Sequence, residues 1–579
     1  MAFVLSNNSD TSLPFIQSTN GYNFFSDEKF VERLEIKEQS LIIIGDLINI
    51  ELIVNQNGFS LDLLSKLKGV FTIIVFENNG FCLYQSYFSM LPIYMDANKT
   101  TFSNSSLHLV KFAKLSNKLN KGFILESFLF NYPLSNKTIF NDVFLLPSFH
   151  FVSASANEIL FVKHFEVETL FPESPASGQK KIRAIAEKFI EECKPYFSAE
   201  NNCITFTSGF DGRTIVSNAI KNGSRFYTVA CGRKDNIDVV NPALNAKELG
   251  IDYEPYDLLS KVYGNDYGLM ANDIFQIAPG YNAYLYPHFQ YLAYKNKDKS
   301  NVLLAGYCGS ELFRALHIQG AVTSKALVEI FLEPDTDKLK KSLKNSEAFK
   351  FLNFEAFEKE FEELWQEITA LRDFNKSFKN TNHAFYHYVF TETFRKVFGI
   401  WTTAQFKYMK VRVPFLDFTF IKELLKTDIA GCNNEFFTHN PFKRMKGQYL
   451  YAEIIKLTSQ KLYKLPTGKG YAPVDLNNMI GKLKITLPYI KKKFKKNLVT
   501  QDIDNLGLIT QFNENVSANI MECNPSFFNS VLVKSTLENM HPRMNERHRD
   551  YLFLVASYTN LELSINSQNN SATDTAVIS

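Results

Sequence analysis

Between a short apolar run, 203–206, and a helical pattern that continues to Ile220, the chain carries Thr207-Ser208-Gly209-Phe210-Asp211-Gly212-Arg213. Small residues at such a turn let the backbone come close to a ligand. The N–H groups of the helix start then point at that ligand, which is the chemistry of an anion site. Asp211 supplies a carboxylate where a Mg²⁺ bridging phosphates needs one. Taken alone, the same residues also suit an ordinary tight strand-to-helix connection. Other candidate chemistry is weaker. The seven cysteines are odd in number and contain no Cys-x-x-Cys pair, so they read as buried thiols in a reducing cytosol. His383 and His387 are four apart, but no HExxH carboxylate lies between them, so packed or surface histidines are expected. The basic run Lys491-Lys492-Lys493-Phe494-Lys495-Lys496 reads as a solvated face and not a nucleic-acid site, because the formal net charge is only +3.

The elements around the turn alternate between strand and helix. Strands are expected at 203–206, 225–230 and 301–305, and helices at 180–193, up to Ile220, and at 239–249, where Gly250 ends the run. That alternation implies a parallel sheet covered on both faces. Upstream, short β-rich runs recur at 41–45, 70–76, 81–84, 149–152 and 159–162, separated by turn chemistry such as Glu77-Asn78-Asn79-Gly80. Pro172 to Gly178 reads as a linker, and beyond about residue 325 the signals are mainly helical. The expected organisation is a β-rich domain over 1–170, an α/β domain over 178–480, a helical extension over 481–563 and a disordered Asn- and Ser-rich tail over 564–579. Apolar residues make up 45% and charged residues 21%, as in a globular protein, and the 54 Phe point to large buried ring clusters. The N-terminus lacks a basic region, and no run of about 18 apolar residues occurs, so no signal peptide or membrane span is expected and the cytoplasm is the expected compartment.

The turn resembles the Ser-Gly-Gly-x-Asp-Ser pyrophosphate loop of the asparagine synthetase family and its ATP-pyrophosphatase (PP-loop) relatives. Thr207, Ser208, Gly209 and Gly212 stand for the first Ser, the two Gly and the last Ser, and Asp211 is kept. Three later stretches match in order. Leu303 to Phe313, with Gly306, resembles the family's Ser-Gly-Glu-Gly-Ala-Asp-Glu-Leu-Phe segment, and Val411 to Asp417 is identical to its Val-Arg-Val-Pro-Phe-Leu-Asp. Leu465 to Pro473 is similar to its Lys-x-Gly-Phe-x-x-Pro element, whose lysine corresponds to Lys469 or, in another register, Lys464. The resemblance implies an α/β architecture: an N-terminal Ntn-hydrolase-like sandwich, then a doubly wound parallel-sheet ATP-pyrophosphatase domain with a helical C-terminal part.

The N-terminal stretch is similar to the family's glutaminase domain at 45–49, 67–71 and 91–94, but its chemistry is missing. Such a glutaminase needs an N-terminal Cys with the chain's own amine as base. Ala2 follows Met1, the family's Arg-Asp pair falls at Gln85 and Ser86, and its Asn falls at Ile44. No glutamine hydrolysis is expected.

The resemblance implies an ATP-dependent ligase that forms an amide through an acyl-adenylate, with ammonia or a substrate amine as nucleophile. ATP and Mg²⁺ are the implied cofactors, with Asp211 and Glu311 as metal ligands. Residues Thr207 to Gly212 with Gly306 would cradle the phosphates, and Lys469 or Arg213 would offset their charge. Two departures bear on activity: Tyr307 takes the place of the family's Glu, and Ser310 that of its Mg²⁺-binding Asp. Tyr307, in the catalytic position, is a poor base at neutral pH unless its pKa of about 10 is lowered. Two rival readings are a tailoring ligase similar to lasso-peptide cyclases or β-lactam synthetases, and an inactive pseudo-synthetase with a scaffold role. The expected partners are a small-molecule or peptide carboxylate and an amine donor, with no nucleic acid and no membrane; a homodimer is a further possibility.

Overall fold

The computed structural model describes residues 2–7, 13–19, 22–37, 39–77, 80–155, 158–313, 322–434, 446–478, 480–485, 504–542 and 544–576. The basic run 491–496 lies outside them.

Twelve strands form two antiparallel sheets in the N-terminal part. They are β1 (Phe3–Ser6), β2 (Phe15–Thr19), β3 (Tyr22–Ser26), β4 (Val31–Ile36), β5 (Gln39–Leu47), β6 (Gly69–Glu77), β7 (Gly80–Gln85), β8 (Tyr94–Asp96), β9 (Thr101–Ser103), β10 (Val143–Leu145), β11 (His150–Ser155) and β12 (Ile159–Lys163). The orders are β10-β8-β9-β1-β3-β2 and β12-β11-β7-β6-β5-β4. Period-two alternation assigns the faces. Ile42, Ile44, Ile74 and Phe76 pack against Phe3, Leu5 and Phe24 of the other sheet, whereas Leu41, Ile43, Ile73 and Val75 pack on Ile53, Leu63 and Leu64 of two short helices. Because the central strands are apolar on both faces, this sheet is buried between two layers.

The second part holds a five-stranded, fully parallel sheet: β13 (Asn202–Thr205), β14 (Phe226–Gly232), β15 (Tyr253–Asp257), β16 (Val302–Leu304) and β17 (Lys410–Arg412), in the order β15-β14-β13-β16-β17. Its connections are helical, as parallel pairing requires. From β13 the chain winds outward to β14 and β15, then returns to place β16 on the other side of β13.

Helix Lys121–Phe130 is apolar on every side, and residues 123–130 are all buried. It packs on helices Lys325–Leu332 and Glu358–Asn375 of the second part. The segment expected as a C-terminal extension is helical and folds back on both halves: helix Asp504–Asn515 packs on helix Lys261–Ile277, and Tyr551 of helix Glu546–Ala576 stacks on Phe128 with centroids 5.2 Å apart. That last helix continues through 564–576, where composition suggests disorder. A helix already nucleated on the buried face of Tyr551 to Leu561 gains one hydrogen bond for each residue added, which offsets weak propensity. Ion pairs join the two parts as well. Arg412 Nε donates to Asp46 Oδ2 at 2.6 Å, and Lys68 pairs with Glu192 at 2.5 Å and with Asp417. Among the described residues no helix is long and apolar enough to cross a membrane.

Candidate active site

Neighbouring strands β13 and β16 lead into connections that leave the sheet in opposite directions, so a crevice opens beyond their carboxyl ends. Open parallel sheets bind ligands at such a switch point. The turn after β13 and the segment after β16 meet there. A Cβ added at Gly306 would lie 3.1 Å from both Asp211 Cβ and the Gly212 nitrogen, and one at Gly309 would lie 2.5 Å from Asp211 Oδ1. Gly306 N also donates to Thr205 Oγ1 at 3.3 Å. Gly212 is required for a different contact: a Cβ there would fall 2.4 Å from the Thr205 carbonyl, so its absence seats the helix directly on the strand.

Helix Asp211–Asn222 starts at Asp211 with no side-chain cap, and Thr214 N closes its first turn on Phe210 O at 2.9 Å. Its positive end and its first-turn N–H groups face the crevice. Asp211 Oδ1 accepts the Tyr451 hydroxyl, and the Tyr451 ring stacks on Phe210 at 5.5 Å. Thr207 is exposed and Gly209 half-buried, while Ser208 is tied down, because its N–H and hydroxyl both donate to Asp238. Asp238 opens the next helix, Ile237–Leu249. Cys308 adopts φ +66°, a left-handed conformation rare for a residue with a Cβ, at the entry to the short helix Gly309–Phe313. Burial pushes its thiol pKa well up, and Glu311 and Asp211 push it further, so both carboxylates lie within electrostatic range of this one side chain. Ser310 Oγ donates to Glu311 Oε1 at 3.1 Å.

Of the two candidate lysines, Lys469 is the one beside the turn. Gly470 N bonds Thr467 O at 3.0 Å to form a tight turn, Gly468 N donates to Ser208 O at 3.1 Å, and Lys469 Nζ lies 5.9 Å from the Phe210 ring centre. Lys464 ends helix Gln460–Lys464 and is exposed.

Two expectations are corrected. Arg213 does not face the crevice: it is fully buried, and its guanidinium donates to the carbonyls of Leu462 (3.4 Å), Leu465 (3.2 Å) and Pro466 (2.8 Å) and to Asn241. As the third residue of the helix it points away from the crevice, where three backbone carbonyls and the Asn241 amide oxygen meet it, and burial lowers its pKa to about 10. Arg213 therefore anchors the segment that leads to Lys469 and does not bind phosphate. Tyr307 is not a base. Burial raises its pKa, only partly opposed by a 2.8 Å hydrogen bond from Gln405 Nε2, and its ring packs among Phe289, Phe398 and Trp401. It can act only as a neutral wall or hydrogen-bond donor.

Sequence reasoning misses Tyr451, which lies far from Asp211 along the chain, and Asp238, an ordinary acidic residue in a first helical turn; neither carries a motif. The polar side chains of the Val411–Asp417 string leave the crevice, since Arg412 and Asp417 turn to Asp46 and Lys68, and only its Phe415 ring reaches the Asp211–Gly309 contact, 3.0 Å from where a Gly309 Cβ would lie. His383 bonds Asn433 Oδ1 at 2.9 Å and His387 pairs with Glu168 at 3.2 Å, so each ring engages a different neighbour, and no group of three or more His, Cys, Asp and Glu placed to hold a metal occurs among the described residues. None of the seven cysteines forms a disulfide.

At the start of the chain Ala2 is fully buried, and its N–H donates to Asp27 Oδ1 at 2.6 Å. The adjoining cavity, lined by Phe3, Phe30, Leu91 and Phe406 among others, is about 20 Å³. That is room for roughly one water molecule. Gln85 is spent on the Leu91 carbonyl at 3.1 Å. No protein-family model matches the chain, and no curated protein matches it significantly.

Proposed function

We propose that the chain is an asparagine-synthetase-like, ATP-dependent carbon–nitrogen ligase that does not hydrolyse glutamine. In this reading the N-terminal sheets are an Ntn-hydrolase-like sandwich and the parallel sheet is a PP-loop ATP-pyrophosphatase domain. One observation carries the proposal: Asp211, Glu311 and the Lys469 turn, drawn from three distant parts of the chain, converge at the switch point of a parallel sheet.

The residues suit a nucleotide polyphosphate. Gly209 faces open space, where an added Cβ would meet only Thr207 Oγ1 at 3.6 Å. The helix N-terminus and Lys469 supply positive potential, and Asp211 and Glu311 are hard oxygen donors fit for Mg²⁺, which binds few protein ligands beside phosphate and water. When bound, Mg²⁺ would neutralise pyrophosphate charge. The chain's own residues do the rest. The Tyr451 hydroxyl fixes Asp211, Arg213 holds the Lys469 turn, and the aromatic wall at Tyr307, Phe289 and Trp401 excludes water from the carboxylate being adenylated. The protonated Tyr307 hydroxyl takes no proton from the nucleophile, so a reactive free amine or ammonia is required.

The closed glutaminase-like cavity favours a substrate amine over glutamine-derived ammonia, and hence a tailoring ligase of peptides or small molecules. A non-catalytic scaffold is the competing reading, favoured by Asp238, whose carboxylate already engages the Ser208 N–H that a phosphate would use. Pyrophosphate exchange with ATP, Mg²⁺ and a panel of carboxylic acids decides between them. Exchange that is lost in Asp211→Ala supports the ligase. No exchange with any acid, together with no ATP binding by calorimetry, refutes it.

A further inference from the structure

A separate cavity of about 70 Å³ lies where helices Lys261–Ile277 and Glu546–Ala576, the π-helical Val389–Phe398 and the end of helix Lys121–Phe130 converge. Ile274, Leu285, Ile400 and Leu554 give it an apolar side. The other side holds groups with unused hydrogen-bonding capacity. Arg547 uses one guanidinium N–H, to Asn131 Oδ1 at 2.5 Å, and a guanidinium has five. Asp550 accepts two bonds from Arg549, at 2.9 and 2.7 Å, both on Oδ1, so Oδ2 has no partner among the described residues. The Tyr281 hydroxyl likewise makes no hydrogen bond among them. Arg547 and Asp550 are three residues apart on one helix face, with Cβ atoms about 5–6 Å apart at such spacing, yet each is held by a different neighbour instead of by the other. A cation and an anion kept separate at the rim of an apolar cavity complement a zwitterion.

We propose that this cavity binds a small α-amino acid, with its carboxylate on Arg547, its ammonium on Asp550 and its side chain against Ile274 and Ile400. The volume sets the size. It exceeds the ~10–15 Å³ that a water needs and is about half the ~150 Å³ that encloses a benzene ring, so alanine fits and an aromatic amino acid does not. The site is independent of the ligase reading, although Trp401 joins the two: it lines this cavity, and its ring lies 6.3 Å from that of Tyr307.

Calorimetry and thermal-shift titration of the full chain with alanine, phenylalanine, propionate and isopropylamine test the proposal. Saturable one-to-one binding of alanine is expected, at least tenfold tighter than that of the other three. Asp550→Asn and Arg547→Gln should each weaken it tenfold or more, while Asp211→Ala leaves it unchanged. If one variant fails to fold, the other and the two single-charge ligands still carry the test. Absence of saturable alanine binding to the wild type, or binding unchanged in a folded Asp550→Asn or Arg547→Gln variant, overturns the proposal.

Discussion

Replacing Arg213 with methionine removes a buried charge and a tether at once, and the two effects differ in scale and reach. Burial lowers the Arg213 pKa from 12.5 to about 10. At 1.36 kcal/mol per unit, keeping that charge inside costs about 3 kcal/mol. Against this stand the bonds to Pro466 O at 2.8 Å and Leu465 O at 3.2 Å, with the 3.4 Å contacts contributing little. Charged donors on carbonyls contribute about 1.5–3 kcal/mol each, so the pair returns about 3–6 kcal/mol. The difference is a net loss of about 0–3 kcal/mol, and the apparent melting temperature of Arg213→Met should fall by only a few degrees. The local effect has no such offset. The carbonyl acceptors all lie in 462–466, ahead of the Lys469 turn, and Pro466 O keeps only Asn241 and Asn245 as donors among the described residues. A loss of about 1.4 kcal/mol in local opening free energy raises cleavage of the opened segment tenfold. Trypsin in native buffer should therefore cut after the exposed Lys464 and Lys469 about tenfold faster in the variant, as read by peptide mapping over time. Unchanged cleavage at these two lysines, or a large drop in melting temperature with no selectivity for them, would refute the tether.

Ala2→Cys should release no glutamate from glutamine above background, because a cavity of about 20 Å³ excludes the substrate even if the amine is freed; a standard glutaminase assay reads this. His288, whose Nδ1 is buried without a partner, has its pKa lowered by burial to about 4 from 6.5. The unfolded chain thus binds the extra proton between those values, so stability is full above pH 6.5 and lost as pH falls toward 4. His288→Leu should flatten the urea-midpoint difference between pH 7 and pH 5, and an unchanged slope would count against it. Arg412→Met leaves Asp46, 2% exposed, with only Lys410 at 3.4 Å. The expected loss is about 3 kcal/mol, and adding Asp46→Asn should recover part of it; additive losses in a double-mutant cycle would mean the pair is not coupled.

The central strands β5, β6, β7, β13 and β14 are legible in the sequence because apolar alternation or a continuous apolar run marks a buried strand from either side. The edges are not. Tyr253-Glu254-Pro255-Tyr256-Asp257 carries polar residues and a proline, which only an edge strand tolerates, and periodicity cannot separate it from a loop. Lys410–Arg412 forms the opposite edge inside a string whose identity to a family motif suggests a site. Its side chains instead close the junction with the N-terminal sheets. Within the crevice, Asp211, Gly306 and Glu311 can be read from local turn chemistry and resemblance. The direction of Arg213, the hydroxyl of Tyr451 and the carboxylate of Asp238 depend on how distant segments pack, which no local pattern encodes.

The contact between helix Lys121–Phe130 and the last helix has a consequence for synthesis. Phe128 stacks on Tyr551 and Tyr558, so one wall around a helix made early is supplied by residues made near the end. At about 5–20 residues per second, the roughly 430 residues between them take on the order of 20–90 s to emerge. For that interval the face of Phe128 that Tyr551 and Tyr558 later cover stays open, although helices Lys325–Leu332 and Glu358–Asn375 emerge earlier and cover another side of its helix. A message truncated before Tyr551 would leave that face of Phe128 without its two aromatic partners.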